Sequence, residues 1–319
     1  MNKNILIASC TLDEATYGPV VSQLNGRGYE VIVFEADMVA EGTKPFSVKV
    51  NNDSGITILY DDTQLTLNSL GAAWYRRAEH FYGTSDTKHL AIDSERTTLQ
   101  SGVWNLIPDN TWLNAPRLMP AAGKKLAQLD TAVRIGFQIP RTIVTNQWQP
   151  IHDELPEDIV YKASNPLFYD DEKVLTMFTT PFQNAEGKLP LNKNPYPGIW
   201  QEQMKKAREW RITAVGEETF DAAIYTNDEA KDDWRKHQLD PKMVEFSQEV
   251  FPCDLREKCV KYLGEFGLRF GAFDFIEDKD GKITFLECNP NGQYMWLEEE
   301  LGLPISQAIA SELINIARQ

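Results

Sequence analysis

The stretch AFDFIEDKDGKITFLECNPNG, residues 272–292, decides how the rest of the chain is read. Two apolar runs, Ala272–Ile276 and Ile283–Cys288, each carry one carboxylate and flank a tight Asp278-Lys279-Asp280-Gly281 turn, so the pattern predicts an antiparallel hairpin. Asp274 and Glu287 then stand on adjacent strands within apolar flanks. Burial and like charge both oppose ionisation of such a pair, and a bound cation removes that cost. Hard oxygen ligands from Asp274 and Glu287, completed by the Asn289 carboxamide and phosphate oxygens, suit Mg2+, which needs few protein ligands. The blander reading turns Asp274 or Glu287 to solvent and leaves Asn289 to start the turn Pro290-Asn291-Gly292. Spacing alone leaves both open.

A metal held this way implies a polyphosphate, and a polyphosphate needs cations. Lys162 lies in the apolar run Ile159–Ala163, where a lysine is unwelcome without an anion. Lys125 sits on an amphipathic segment, where a solvated lysine is the commoner outcome. The four histidines, His80, His89, His152 and His237, are scattered, and no Ser-His-Asp or Cys-His constellation is recognisable.

Upstream, Ile5–Ala8, a segment with Tyr17, Val20, Val21 and Leu24 at helical spacing, and Glu30–Phe34 predict a βαβ unit, with Gly26 and Gly28 as stops. No GxGxxG follows the first strand, which disfavours a dinucleotide site. A meander is expected over Phe46–Val50, Ile56–Tyr60 and Gln64–Leu67, then a strand at Ala72–Tyr75 and helix over Asp86–Leu106. The texture changes at Asn114-Ala115-Pro116. An amphipathic helix from Gly123 to Ile135, stopped by Gly136, leads to strands at Arg141–Thr145 and Ile159–Ala163, then to a hairpin through Val174–Phe182. Asn184–Gly198 reads as a mobile connector. Strands are expected at Ile199–Gln203, Glu209–Val215 and Thr219–Tyr225, a helix over Asp254–Phe266 with Asp254 as N-cap and Gly267 as stop, and a last helix from Pro304. The parts become 1–113, 114–198 and 199–319.

The 319 residues, 42% hydrophobic and 25% charged, suit a globular protein of two or three modules. No apolar run nears the roughly 18 residues of a membrane span, and the start is too polar for a secretory signal, so a cytoplasmic protein is expected. Four cysteines without CxxC spacing give little support for a disulfide framework or a zinc site. The net charge of −15 argues against a duplex nucleic-acid surface.

Together these residues resemble a family. Lys125 in Lys-Leu-Ala-Gln-Leu, Gly136-Phe-Gln-Ile-Pro-Arg-Thr142, Tyr161-Lys162, Trp200-Gln-Glu202, Arg211, Gly271-Ala-Phe-Asp274 and Leu286-Glu-Cys-Asn-Pro-Asn-Gly292 look like an ATP-grasp ligase. Asp233-Trp-Arg235 and Asn289–Trp296 resemble, more narrowly, the branch that makes microviridin-type graspetides, ribosomal peptides whose side chains are joined by ester or amide bonds. The likeness is detailed over 114–319 and looser earlier, through Trp74-Tyr-Arg-Arg77. It implies an α/β ATP-grasp fold with an N-terminal Rossmann-like pre-ATP-grasp domain, a central lid subdomain and a C-terminal catalytic subdomain. It implies that Lys125 and Lys162 contact ATP phosphates, that Gln201, Glu202, Gln203 and Met204 meet adenine, that Asp274, Glu287 and Asn289 hold Mg2+, and that Arg211 and Arg235 face the acceptor carboxylate or the transferring phosphoryl group. The implied partner is a precursor peptide with leader and core. Ester bonds are favoured over amide bonds, and the assembly state, a homodimer included, is left open.

One departure stands out. The family's acidic leader-binding helix is replaced by Gln183–Gly198, in which only Glu186 is acidic, so leader binding is expected instead on Phe168–Glu172 or the adjoining hairpin. Two rival readings remain: a ligase joining a free amino acid or amine to a small acid, and a nucleotide-binding regulator without turnover.

Overall fold

The computed structural model describes residues 4–52, 55–78, 87–162, 167–170, 173–176, 180–183, 197–227, 240 and 242–319. The first apolar run forms β1 (Asn4–Ser9), α1 (Glu14–Gly26) follows, and β2 (Glu30–Glu35) returns parallel to β1. A short helix α2 (Ala36–Ala40) leads into the expected meander of β3 (Phe46–Asn51), β4 (Gly55–Tyr60) and β5 (Thr63–Thr66). β6 (Leu70–Tyr75) then lies parallel to β1 on its other side, closing a sheet of order β2-β1-β6. Ile5, Ile7, Ala72 and Trp74 are buried on one face of it and Leu6, Ala8, Ala73 and Tyr75 on the other, as a parallel sheet covered on both faces requires.

After α3 (Thr87–Trp104) and the short α4 (Met119–Ala122), the amphipathic run becomes α5 (Lys125–Ile135). Gly136 ends it at φ 90°, a left-handed conformation that favours glycine. A second sheet takes the order β11-β8-β12-β7, built from β7 (Thr142–Thr145), β8 (Asp158–Lys162), β11 (Thr180–Gln183) and β12 (Gly198–Glu202). Its apolar face packs on α6 (Trp148–Glu154), a helix the sequence reading left out. The expected hairpin through Val174–Phe182 is corrected: β10 (Lys173–Thr176) pairs with β9 (Leu167–Asp170), while β11 crosses to β8. Most of the expected connector, 184–196, lies outside the described residues.

The largest sheet has the order β15-β14-β13-β16-β17, wholly antiparallel, from β13 (Arg208–Val215), β14 (Glu218–Thr226), β15 (Val244–Ser247), β16 (Phe270–Glu277) and β17 (Ile283–Asn289). One face buries Trp210, Ile212, Phe273, Phe275, Phe285 and Cys288 in a core shared with α5 and α7 (Cys253–Glu265). Pro252, not Asp254, is the N-cap of α7. Asp254 sits in the first turn, where the helix dipole favours a negative charge without a capping bond. Past β17 come α8 (Met295–Leu301), also unforeseen, and α9 (Ile305–Arg318). Ile305, Ile309, Leu313 and Ile316 make a buried stripe on α9, which packs against α1, β6 and β13. Among the described residues, no helix is long and apolar enough to cross a membrane.

Candidate active site

Four of the expected site residues fall on the face of the five-stranded sheet opposite that core. Arg211, Asp274 and Glu287 are direct cross-strand neighbours on β13, β16 and β17, and Asn289 is opposite Ala272 one step further along. A register shift after Asp274 makes this row. Counting from the turn, Phe275 pairs with Phe285, and an unbroken ladder would set Asp274 against Leu286. The shift leaves Leu286 as the extra residue, so Glu287 faces Asp274 while Phe285 and Cys288 both stay in the core. Re-aiming a side chain in this way is a common use of a β-bulge.

Each carboxylate of the row has a cation. Arg211 donates from Nη1 to Asp274 Oδ1 at 2.7 Å, and both groups are buried. Lys125, at the start of α5, donates from Nζ to Glu287 Oε2 at 2.9 Å. The position of α5 is fixed by Gln128, whose buried amide donates to the carbonyls of Cys288 (2.6 Å) and Ala122 (2.7 Å) and accepts from the Cys288 N–H (3.2 Å). Lys125 and Glu287, 162 residues apart in sequence, are therefore held together by the backbone of β17 itself.

The loop after β17 folds back over the same face. Asn289 Oδ1 accepts from the Asn291 N–H at 2.9 Å, and Arg211 Nη2 donates to the Gln293 carbonyl at 3.0 Å. Gly292 lies flat on Ala272: a Cβ there would come within 2.4 Å of the Ala272 Cβ and 3.2 Å of Arg211 Nη2. A side chain at 292 would have to displace the loop.

That loop is gripped from the first sheet by Arg76, a residue whose role the sequence reading missed. Arg76 is fully buried and donates from Nε to Asp13 (2.8 Å), from Nη1 to the carbonyls of Asn291 (2.8 Å) and Gly292 (3.0 Å) and to Asn291 Oδ1 (3.0 Å), and from Nη2 to Gln293 Oε1 (2.5 Å). Burial pushes its pKa down, and the carboxylate of Asp13 opposes that shift. Removing either partner of such a buried pair strands the other, at about 3–5 kcal/mol. Asn114 makes a second tie, donating to the carbonyls of Phe270 (2.8 Å) and Pro290 (2.9 Å) and accepting from the N–H groups of Arg269 (2.9 Å) and Phe270 (3.0 Å).

The remaining expected residues lie elsewhere. Lys162, opposite Ile199, and Gln201, opposite Val160, share the face of the four-stranded sheet away from α6. Gln201 is buried and donates to Thr142 Oγ1 at 2.8 Å, so its side chain serves the sheet. Glu202 accepts from the Arg141 N–H and Nε, both at 2.9 Å; burial raises its pKa, but these bonds outweigh burial and hold it below the usual carboxylate range. The N–H groups of Glu202 and Gln203 donate to the carbonyls of Arg141 and Asp158. Gln203 and the half-buried Met204 begin the short passage from β12 into β13, the strand of Arg211. Arg235 lies outside the described residues, as do Asp171 and Glu172 of the expected leader-binding segment.

The donor set suits a hard cation of low protein coordination: two register-paired carboxylates and an exposed carboxamide, with no cluster of three or more His, Cys, Asp or Glu among the described residues. The anion side has its own mark. Arg211 Nε is buried and has no hydrogen-bond partner among the described residues, an orphaned charged donor that an incoming oxyanion would satisfy.

No protein-family model matches the chain, and no curated protein matches it. Solved structures do match. A RiPP-associated ATP-grasp ligase from Chryseobacterium gregarium, solved with ADP and a leader and core peptide, aligns with 99% of this chain and 97% of its own at TM-score 0.85 and 27% identity. Macrocyclase MdnC from Microcystis aeruginosa MRC, bound to precursor peptide MdnA, aligns over 98% and 99% at TM-score 0.80 and 26% identity. The ATP-grasp ligase PsnB, solved with a minimal precursor, shares the fold over 99% of both chains at TM-score 0.76 and 19% identity.

Proposed function

We propose that this chain, which has the fold of the RiPP-associated ATP-grasp ligases along nearly its whole length, is an ATP-dependent peptide macrocyclase acting in the cytoplasm on a ribosomal precursor peptide. The single observation that carries this reading is the row Arg211–Asp274–Glu287 capped by Lys125, set in a chain alike from end to end to two enzymes solved with precursor peptides. The three parts 1–113, 114–198 and 199–319 serve as N-terminal domain, lid and catalytic subdomain.

In the first step a side-chain carboxylate of Asp or Glu in the peptide attacks the γ-phosphorus of ATP, ADP leaves, and an acyl phosphate forms. In the second, a Ser or Thr hydroxyl, or a Lys amine, adds to the acyl carbon; its proton is lost, the C–O bond to phosphate breaks, and the peptide is lighter by one water. We favour the ester product. No protein nucleophile is needed, and the residues work by position and charge. Arg211 offers its unpartnered Nε, beside Nη1 and Nη2, to the oxygens of the reacting carboxylate or phosphoryl group. Lys125 and Lys162 bind ATP phosphates, and Gln201–Met204 offers backbone to adenine. Arg235 is assigned to the acceptor side with Arg211. Asp274, Glu287 and Asn289 would hold Mg2+, which when bound would supply neutralisation of phosphate charge.

The test is incubation with ATP, Mg2+ and the precursor peptide encoded beside the gene, followed by mass spectrometry. Loss of one water per ring, located by fragmentation, is expected, and Glu287→Gln should abolish it. A product formed from a small acid and a free amine, with no dependence on peptide, would overturn the macrocyclase reading; an unchanged rate in Glu287→Gln would overturn the metal assignment.

A further inference from the structure

Beside the row, between α3 and the loop after β17, lies a cavity of about 740 Å³. Sites for small ligands and peptide side chains run from about 300 to 1,000 Å³. Tyr75, Trp104 and Met119 give it apolar walls, and Asn105, Asn291 and Arg77 give it polar groups. Asn289 lines it too, so whatever fills the cavity borders the candidate metal site.

Arg77 gives the cavity its chemistry. The two arginines after β6 part company: Arg76 turns inward to the loop, its N–H bonded to the Ala8 carbonyl at 2.7 Å, and Arg77 follows at φ 54°. A non-glycine residue in that region is strained, and strain of this kind persists where surrounding contacts over-determine it. Those of Arg76 do so here. Arg77 is exposed and has no hydrogen-bond or ion-pair partner among the described residues, whereas Arg117, the other cation of the cavity, is committed to Asp109. A cation with no counter-charge among the described residues, on a cavity with apolar walls, presents a site for an anionic group carried on an apolar or peptide body.

We propose that this cavity seats an acidic stretch of the substrate peptide's core, and that Arg77 pairs with a carboxylate other than the one being activated. The proposal rests on the macrocyclase reading and names where the core lies in it. Asn105 and Asn291 supply donors and acceptors for the peptide backbone, and Tyr75 and Trp104 supply walls for its apolar side chains. Arg77 is thereby a specificity residue, outside the phosphoryl-transfer machinery.

The experiment measures equilibrium binding of two fluorescent peptides to the full chain with ADP and Mg2+: the precursor encoded beside the gene, and the same peptide with its core Asp and Glu changed to Asn and Gln. Wild type should prefer the acidic form by about tenfold or more, the worth of one hydrogen-bonded charge. Arg77→Gln should cut that preference by more than half, the remainder being the reacting carboxylate on Arg211, Arg77→Lys should keep most of it, and ADP affinity should stay constant in both. Ser101→Trp, a substitution on the exposed side of α3 at the cavity, should weaken both peptides and again spare ADP. Equal preference in wild type and Arg77→Gln, or unweakened binding in Ser101→Trp, would overturn the proposal while wild-type cyclisation kept the macrocyclase reading intact. Absence of any dehydrated product with wild type would overturn both.

Discussion

β13 carries two arginines three residues apart, on opposite faces of one sheet, and they are treated differently. Arg208 has every guanidinium nitrogen engaged: it donates from Nε (2.9 Å) and Nη2 (3.1 Å) to Glu277, from Nη1 to Tyr225 Oη (2.8 Å) and Glu249 (2.6 Å), and stacks 4.6 Å from the Trp210 ring. Arg211 has Asp274, one carbonyl and an Nε with no partner among the described residues. Position in the strand alone does not say which arginine could receive a ligand. A nitrogen without a partner does, because an arginine whose nitrogens are all engaged has little left for a ligand.

Arg76 offers the strongest way to break that comparison, being engaged at every guanidinium nitrogen like Arg208 yet bonded to the loop that receives Arg211. Arg76→Gln should lower unfolding free energy by about 3–5 kcal/mol in urea titration and also depress cyclisation in the fraction still folded. If stability falls and turnover of the folded enzyme does not, the loop needs no grip from the first sheet. Next in size, Arg211→Lys keeps the charge and loses the fork; single-turnover product formation should drop about a hundredfold or more with little change in melting temperature. Arg208→Met should do the reverse, costing about 1–3 kcal/mol of stability while the rate stays within about threefold.

The smallest effect is a pH dependence. Burial raises the Glu277 pKa, but bonds from Arg208 and Trp210 outweigh it and leave the carboxyl below its usual value. A depressed folded pKa adds stability that is present above the unfolded value of about 4.3 and is lost as pH falls through the folded one. The stability gap between wild type and Arg208→Met should therefore narrow on acidification below about pH 4, as followed by denaturant titration across pH.

The hairpin of β16 and β17 was legible because its turn residues and its apolar alternation agree. Asp278 Oδ1 accepts from the N–H groups of Asp280 and Lys282, as such a turn requires. The bulge at Leu286 was not legible, since a bulge leaves the residue types unchanged and alters only which ones meet. The same limit hid the pairing of β11 with β8, a contact between distant segments that no local pattern encodes. Arg76 had a signal that could have been used: a charged residue directly after the apolar strand Ala72–Tyr75, the argument already applied to Lys162. The pairing of Lys125 with Glu287 was not foreseen; the family resemblance put both near ATP, but Gln128, which fixes their proximity, looks like any other polar residue of a helix.

The packing of α9 orders events during synthesis. Ile5, Ile7, Ala72 and Trp74 on the first sheet share a buried cluster with Tyr17, Val20 and Leu24 of α1 and with Ile305, Ile309 and Leu313, so the earliest strands present an apolar face only partly covered until residues some three hundred positions later arrive. Such long-range closure is slow and leaves sticky surface exposed meanwhile. A nascent chain halted after β17 already holds Asp274 and Glu287 but lacks the helix that buries its oldest sheet, which makes it a natural client for a chaperone.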